Sequence, residues 1–425
     1  MSQFTFFRHD DWLMLGNSVT ILPQDWSFLW SHELYFSPTE KGIWFFRPLF
    51  KGMVWLGYQA FGYHHSLWMF FQWFLILASI FIGTRTFYSH PQSLKKGYVF
   101  SLLSVSCIAF YLPSLVWMGE GMMNIPQVFL LSLAVFLFFH SNLWAQIMSL
   151  FCFLLALGFK ESSAFLPLFL IGKLLAENTF NRRWKWLIPH FVLMGAYLIF
   201  RLGLVPMNPG YMPQISFSHL LKPIFFFGAA LCLPLVVLLI DSYSGNGTLW
   251  YLSLRRFCYF TPFISLLVAP HLGHGFFSPG WFFLPGFFTL WSLVISLEIP
   301  LVEQISQKRL VVLALFFSLL PVLWKAHELR WWEWRQSQLA VYDWVEKSPN
   351  SVTDILIEQC NSSQNSSLTF ECVVGGPEHI EHLWKLKHPG LVTVHLVPCD
   401  QTSPDKEKTP KHISARWSFP DFITN

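Results

Sequence analysis

Apolar, aromatic-rich segments recur along this chain, and the Lys and Arg residues between them fall almost entirely in every second loop. The segments run roughly from Tyr63 to Ile82, Tyr98 to Trp117, Ile125 to Phe139, Leu143 to Leu157, Ala164 to Leu175, Leu187 to Leu204, Pro223 to Ile240, Phe257 to Pro270, Trp281 to Leu297 and Leu310 to Trp324. A helix needs about 20 apolar residues to cross the hydrocarbon layer, because every backbone polar group must be satisfied within the segment. Several segments are shorter, yet the series predicts an all-α polytopic membrane protein with about 10 transmembrane helices.

Arg85, Lys95 and Lys96 share one loop, Arg182, Arg183 and Lys185 a second, Arg255 and Arg256 a third, and Lys308 and Arg309 a fourth. Basic residues collect in cytoplasmic loops, so these are expected inside. The loops near Glu120, Lys160, Pro209 and His274 carry almost no basic residues and are expected outside. The short connection at His140–Asn142 should lie inside but has no Lys or Arg, so it neither supports nor breaks the alternation. An even count puts the C-terminal part outside, together with the residues before Tyr63. Met1–Asp10 holds neither a signal-peptide core nor a spanning helix, which leads us to expect a first helix that this chain lacks; an atypical N-terminal insertion is the alternative.

Three regions follow. Residues 1–62 form an external N-terminal loop whose apolar stretches, broken by Asp25, Glu33, Glu40, Arg47 and Lys51, suit helices lying in the interface. Arg47-Pro48 is a plausible start for one of them, since Pro is tolerated in a first helical turn. Residues 63–325 form the transmembrane domain. Residues 326–425 form a small extracytoplasmic α/β domain, with strand-like content at Val352–Ile357, Leu368–Val374 and Leu391–Val397.

Composition agrees with this class: 53% of residues are hydrophobic and only 12% charged, with 46 Phe and 21 Trp in 425 residues. Topology accounts for most of the basic residues, so the net charge of +4 does not point to nucleic acid. Cys107, Cys152, Cys232 and Cys258 sit in apolar runs, where Cys acts as a small hydrophobe. Cys360, Cys372 and Cys399 lie in the tail, enough for one disulfide with one thiol left over.

Charge near hydrocarbon is costly and often functional, so ionisable residues at the outer ends of spans are the candidates for chemistry. Asp10-Asp11 in the external N-terminal segment can divide the work of general base and hydroxyl or metal ligand, although such a pair also reads as a solvated acidic turn. Lys160-Glu161 stands between two spans; Glu161 alone would suit a helix start. Arg47, His64, His65, Glu120 and Arg201 fall on or near the same outer face. Arg presents a planar fork to phosphate, whereas a lone Arg at a span end also reads as a snorkelling residue. Together these residues make a credible site for an anionic group.

In this order the pieces resemble the GT-C class of integral-membrane glycosyltransferases, the superfamily of protein O-mannosyltransferases and lipid A aminoarabinose transferases. The resemblance rests on Asp10-Asp11, on Arg47-Pro48-Leu49 followed by Phe61-Gly62 and Tyr63-His64, on Leu155–Ser163 with Pro167, and on Tyr197-Leu198-Ile199-Phe200-Arg201. It covers roughly Phe6 to Leu204, with weaker agreement at Phe283-Leu284-Pro285. The chain departs from the class in lacking a membrane helix before the acidic pair, and in placing Gln72 or apolar residues where a polar residue is usual late in the second span.

The resemblance implies transfer of a sugar from a polyprenyl-phosphate donor to a protein, lipid or glycan acceptor. The site would face outward from a multi-pass protein of a bacterial inner membrane, with membrane lipids as its surroundings and no nucleic acid partner. Asp10 or Asp11 would be the base in an inverting substitution. Arg47, Lys160 and Arg201 would neutralise the leaving phosphate with help from His64, Glu161 would orient Lys160, and His65 and Glu120 stand in reserve. No cofactor is required; a divalent metal, if used, would fall to Asp10 and Asp11. No glycine-rich phosphate loop is evident, in keeping with a lipid-phosphate donor. Read without the resemblance, the sequence supports only an outward anion site, and two alternatives stand: a polytopic transporter, which would carry its charges at mid-span, and a non-catalytic or truncated transferase-like protein.

Overall fold

The computed structural model describes residues 26–30, 47–62, 64–87, 96–105, 118–203, 247–268, 283–296 and 331–359, and from the C-terminal part residues 380–381, 384, 388, 390, 392–398, 412–418 and 421–424. Helix dominates. In chain order the helices are α1 (Pro48–Phe61), α2 (His65–Arg85), α3 (Met118–Phe138), α4 (Leu143–Leu157), α5 (Leu166–Ala176), α6 (Phe180–Gly203), α7 (Gly247–Cys258), α8 (Thr261–Val268), α9 (Phe283–Ser296) and α10 (Trp331–Lys347). Residues 96–105 are also helical, and a 3-10 turn at Glu161–Phe165 leads into α5. Among the described residues, two helices, α2 and α3, contain stretches long and apolar enough to cross a membrane. The segments expected at Pro223–Ile240 and Leu310–Trp324, most of that expected at Tyr98–Trp117, and the strand expected at Leu368–Val374 lie outside the described residues.

Several expected bounds move. Helix α3 begins at Met118, a full turn and more before Ile125, because its polar Glu-Gly and Asn residues interrupt the apolar pattern without breaking the helix. Arg255 and Arg256 sit in the last turn of α7 instead of a loop, where cations favour the helix C-terminus. Helix α1 starts at Pro48, as Arg47-Pro48 suggests, and its 14 residues reach only about 21 Å, less than a span.

The core is aromatic. Every residue of α9 is buried, and Phe288 and Trp291 pack on Phe169 of α5 with ring centroids 4.9 and 5.4 Å apart. Elsewhere the apolar surface faces outward. Leu67, Phe70, Phe74, Leu77 and Phe81 form an exposed stripe down the whole of α2, and Trp144, Ile147, Met148, Phe151 and Leu154 form another on α4. Stripes at this helical spacing are burial faces, and water-soluble surfaces rarely carry apolar patches so long.

The helix ends sort into two sets. At one end Arg183 Nη1 of α6 donates to the carbonyls of Phe138 (3.0 Å) and His140 (3.4 Å), and Gln146 Nε2 donates to the same two at 2.8 and 2.6 Å. These bonds satisfy the orphan carbonyls that end α3. Thus the charge missing from His140–Asn142 is supplied by the Arg182–Lys185 segment, which the alternation expects on the same side. Lys96 likewise donates to the Ile295 carbonyl, 3.1 Å away near the end of α9, another pair expected together. Arg47, Glu161 and Arg201 meet at the other set of ends.

The C-terminal unit holds α10 and a four-stranded sheet of order β2-β1-β3-β4, with β1 (Asp354–Gln359), β2 (Thr393–Pro398), β3 (His412–Ser418) and β4 (Asp421–Thr424). Strand β1 is parallel to both β2 and β3, with Ile355 opposite Val394 on one side and Ile413 on the other; β4 runs antiparallel to β3. The last two strands were not expected, because His412-Ile-Ser-Ala-Arg-Trp-Ser carries too little apolar or β-branched content to stand out. One hydrophobic cluster joins Val341, Val345, Ile355, Ile357 and Trp384 of this unit to Phe50, Val54, Trp68, Met123 and Phe159 of the helical part.

Candidate functional site

A glycine sets the site. The last turn of α4 runs into Gly158, whose carbonyl accepts from Leu49 N at 3.2 Å. A Cβ at Gly158 would stand 2.7 Å from Leu49 Cγ and 3.1 Å from its Cβ, so only glycine lets the start of α1 approach this closely. The approach delivers Arg47 to the 3-10 turn that follows α4. A second close contact supports α1 from the other end: a Cβ on Gly57 would collide with the buried Trp68 ring, whose Nε1 donates 3.0 Å to the Gly62 carbonyl. Gly62 takes φ +52°, the left-handed region where glycine is at ease, and turns the chain from α1 into α2.

Arg47 Nη2 donates to Glu161 Oε2 at 3.1 Å, and its Nη1 lies 2.7 Å from Met123 Sδ. Arg201 Nε, near the end of α6, is 3.9 Å from Glu161 Oε1. One carboxylate therefore holds two guanidinium groups that stand 154 residues apart in sequence. Burial by itself would raise the Glu161 carboxyl, but the Arg47 charge, with the local backbone hydrogen bond and Arg201, outweighs it and holds the group below the ordinary carboxylate value.

Lys160 is buried, its Nζ donating to Asn124 Oδ1 of α3 at 2.9 Å. The expected arrangement, in which Glu161 orients Lys160, is not what forms; Glu161 orients the arginines and Asn124 meets the lysine. Gln127 Nε2, one turn on along α3, reaches Ser162 Oγ at 2.9 Å and Ser163 Oγ at 2.7 Å, which pins the 3-10 turn.

Tyr197 lies one turn before Arg201 on α6, within electrostatic range of Glu161, Arg201 and Arg47. Among the described residues its buried hydroxyl has no hydrogen-bond partner, and neither does the buried Glu161 Oε1.

Of the residues expected at the site, Arg47, Lys160, Glu161 and Arg201 come together. His64 does not join them: it is exposed ahead of α2. His65 and Glu120 fall in the first turns of α2 and α3. Asp10 and Asp11 lie outside the described residues. Asn124, Gln127 and Tyr197 are additions. The first two were detectable as polar residues one turn apart within an apolar helix, where an amide must find a partner. Among the described residues, no three His, Cys, Asp or Glu side chains gather as a metal would require.

The arrangement gathers planar, permanently charged donors and one ammonium at one end of a helical bundle, a chemistry suited to phosphate oxygens. No protein-family model, curated protein or solved structure matches the chain.

Proposed function

We propose that this chain is a multi-pass membrane glycosyltransferase of the GT-C kind, moving a sugar from a polyprenyl-phosphate donor to a protein, lipid or glycan acceptor outside a bacterial inner membrane. The observation that carries the reading is the Arg47–Glu161–Arg201 group. Three stretches that resemble the class, 114 and 40 residues apart in sequence, supply its members. The exposed apolar stripes on α2 and α4 support the membrane setting.

In this reading Asp10 or Asp11 takes the proton from the acceptor hydroxyl. The acceptor oxygen then bonds to the anomeric carbon, and the bond from that carbon to the phosphate oxygen breaks. The electron pair leaves on polyprenyl phosphate, which gains a negative charge. Arg47, Arg201 and Lys160 stabilise that charge as it develops. Glu161 keeps the two guanidinium groups facing one point, so little reorganisation is needed at the moment of transfer.

The test is transfer of radiolabelled sugar from polyprenyl-phosphate donors by membranes that contain the protein, compared with an Asp10→Asn/Asp11→Asn double variant at equal protein level. The expected result is turnover that the double variant abolishes. Turnover indifferent to both aspartates would sink the mechanism, and none from any donor would sink the function.

A further inference from the structure

We infer that the site contains a hydroxyl-binding position between Tyr197 and Glu161, which reads the sugar of the ligand rather than its phosphate. This rests on the transferase reading only for the ligand's name; the donor and acceptor pattern stands by itself. Among the described residues neither Tyr197 OH nor Glu161 Oε1, both buried, has a hydrogen-bond partner, and they border the same pair of arginines. Buried polar groups left open in this way ask for a partner supplied from elsewhere.

The chemistry of the two open atoms restricts that partner. An ionised carboxylate oxygen only accepts, so Glu161 Oε1 needs a donor, while the Tyr197 hydroxyl can give a proton. A phosphodiester oxygen could accept from Tyr197 but has nothing to give Glu161, and a phosphate with a P–OH to give still carries the charge that the carboxylate repels. An ammonium group could donate to Glu161, but it would sit against Arg47 and Arg201. A neutral hydroxyl meets both demands, accepting from Tyr197 and donating to Glu161. A ligand with an anion for the arginines and a hydroxyl a few ångströms away is a sugar phosphate.

The experiment compares hexose 1-phosphates of gluco, manno and galacto configuration with inorganic phosphate, binding to the purified full-length protein in a detergent without a sugar head group. Wild-type protein should prefer one of the hexose phosphates about tenfold or more, the worth of one buried hydrogen bond. In Tyr197→Phe that ratio should fall towards one. The variant should melt no lower than wild type, because the lost hydroxyl has no partner to lose among the described residues. A wild-type protein without the preference, or one that binds none of the probes, would overturn the inference, as would a preference that Tyr197→Phe leaves intact. A hydroxyl preference without lipid-linked transfer keeps this position and removes the transferase; transfer with a tyrosine-independent sugar preference does the reverse.

Discussion

Arg47 and Glu161 stand 114 residues apart in sequence and 3.1 Å apart in space. The pair fixes α1 to the turn between α4 and α5, so it couples the shape of the site to the packing of the helix ends. Arg47 is nearly buried while a quarter of the Glu161 side chain is exposed. Removing one member therefore leaves a charge only partly able to reach water.

Glu161→Gln should destabilise the protein by about 2 kcal/mol, below the roughly 3–5 kcal/mol of a fully buried pair because solvent screens Glu161. Arg47→Lys should recover part of the stability of Arg47→Met, since it keeps the charge, but little of the phosphate affinity, since it loses the fork. Thermal unfolding and phosphate titration in detergent would read the two effects. Equal recovery of both by lysine would mean that geometry is irrelevant at this position.

The Glu161 ion pair should also make stability depend on acid. Its carboxyl is held below the ordinary value in the folded protein, despite burial that pushes the other way. A depressed folded pKa gives stability that is complete above the unfolded carboxyl value of about 4.3 and is lost as pH falls through the folded value. The melting-temperature gap between wild type and Glu161→Gln should therefore be level at neutral pH and narrow only in that acid window. A gap that narrows between pH 6 and pH 8 would assign the titration to another group.

Gly158→Ala tests how α1 is seated. The added methyl would meet Leu49 well inside contact distance, and overpacking of this kind typically costs about 1–3 kcal/mol. Because the closest contacts are with Leu49 Cγ and Cδ1, Leu49→Ala should relieve most of the clash, its retained Cβ leaving a tight 3.1 Å contact, and the double variant should be more stable than the sum of the single changes implies. Additivity in denaturant unfolding would show that Gly158 matters for its backbone alone.

Much of this was legible in the sequence, and the reasons differ from part to part. Helix α4 agrees with its apolar segment at both ends, because Asn142 caps it by accepting from Ala145 N at 2.6 Å and Gly158 ends it. Arg47, Lys160, Glu161 and Arg201 could be chosen because charge at the end of an apolar run is conspicuous. Their pairing could not: Lys160 and Glu161 are neighbours in sequence, yet the 3-10 turn sends one to Asn124 and the other to the arginines. Tyr197 opens the stretch ending at Arg201 that carries part of the resemblance, but nothing in the sequence assigns it a role, since an aromatic residue in an apolar span reads as packing until its hydroxyl is seen to lack a partner among the described residues. Strand β3 was missed because its partners, not its own composition, make it a strand.

A final prediction concerns Ser149 and His190, which join α4 to α6 deep in the bundle at 3.1 Å. His190 Nδ1 lies 3.0 Å from the Trp186 carbonyl, so in the neutral ring Nδ1 carries the proton and Nε2 accepts from Ser149. Ser149 has one proton and a second acceptor within reach, the Ala134 carbonyl at 2.8 Å. When His190 is replaced by Phe, Ser149 can turn to that carbonyl and remain satisfied. The coupling energy between Ser149→Ala and His190→Phe should therefore lie near the average for hydrogen bonds between membrane helices, about 0.6 kcal/mol, and not near the upper value of about 1.7 kcal/mol. A double-mutant cycle of unfolding in mixed micelles measures it. A coupling near the upper value would mean that Ser149 does not make the switch to Ala134 and that its proton is committed to the histidine.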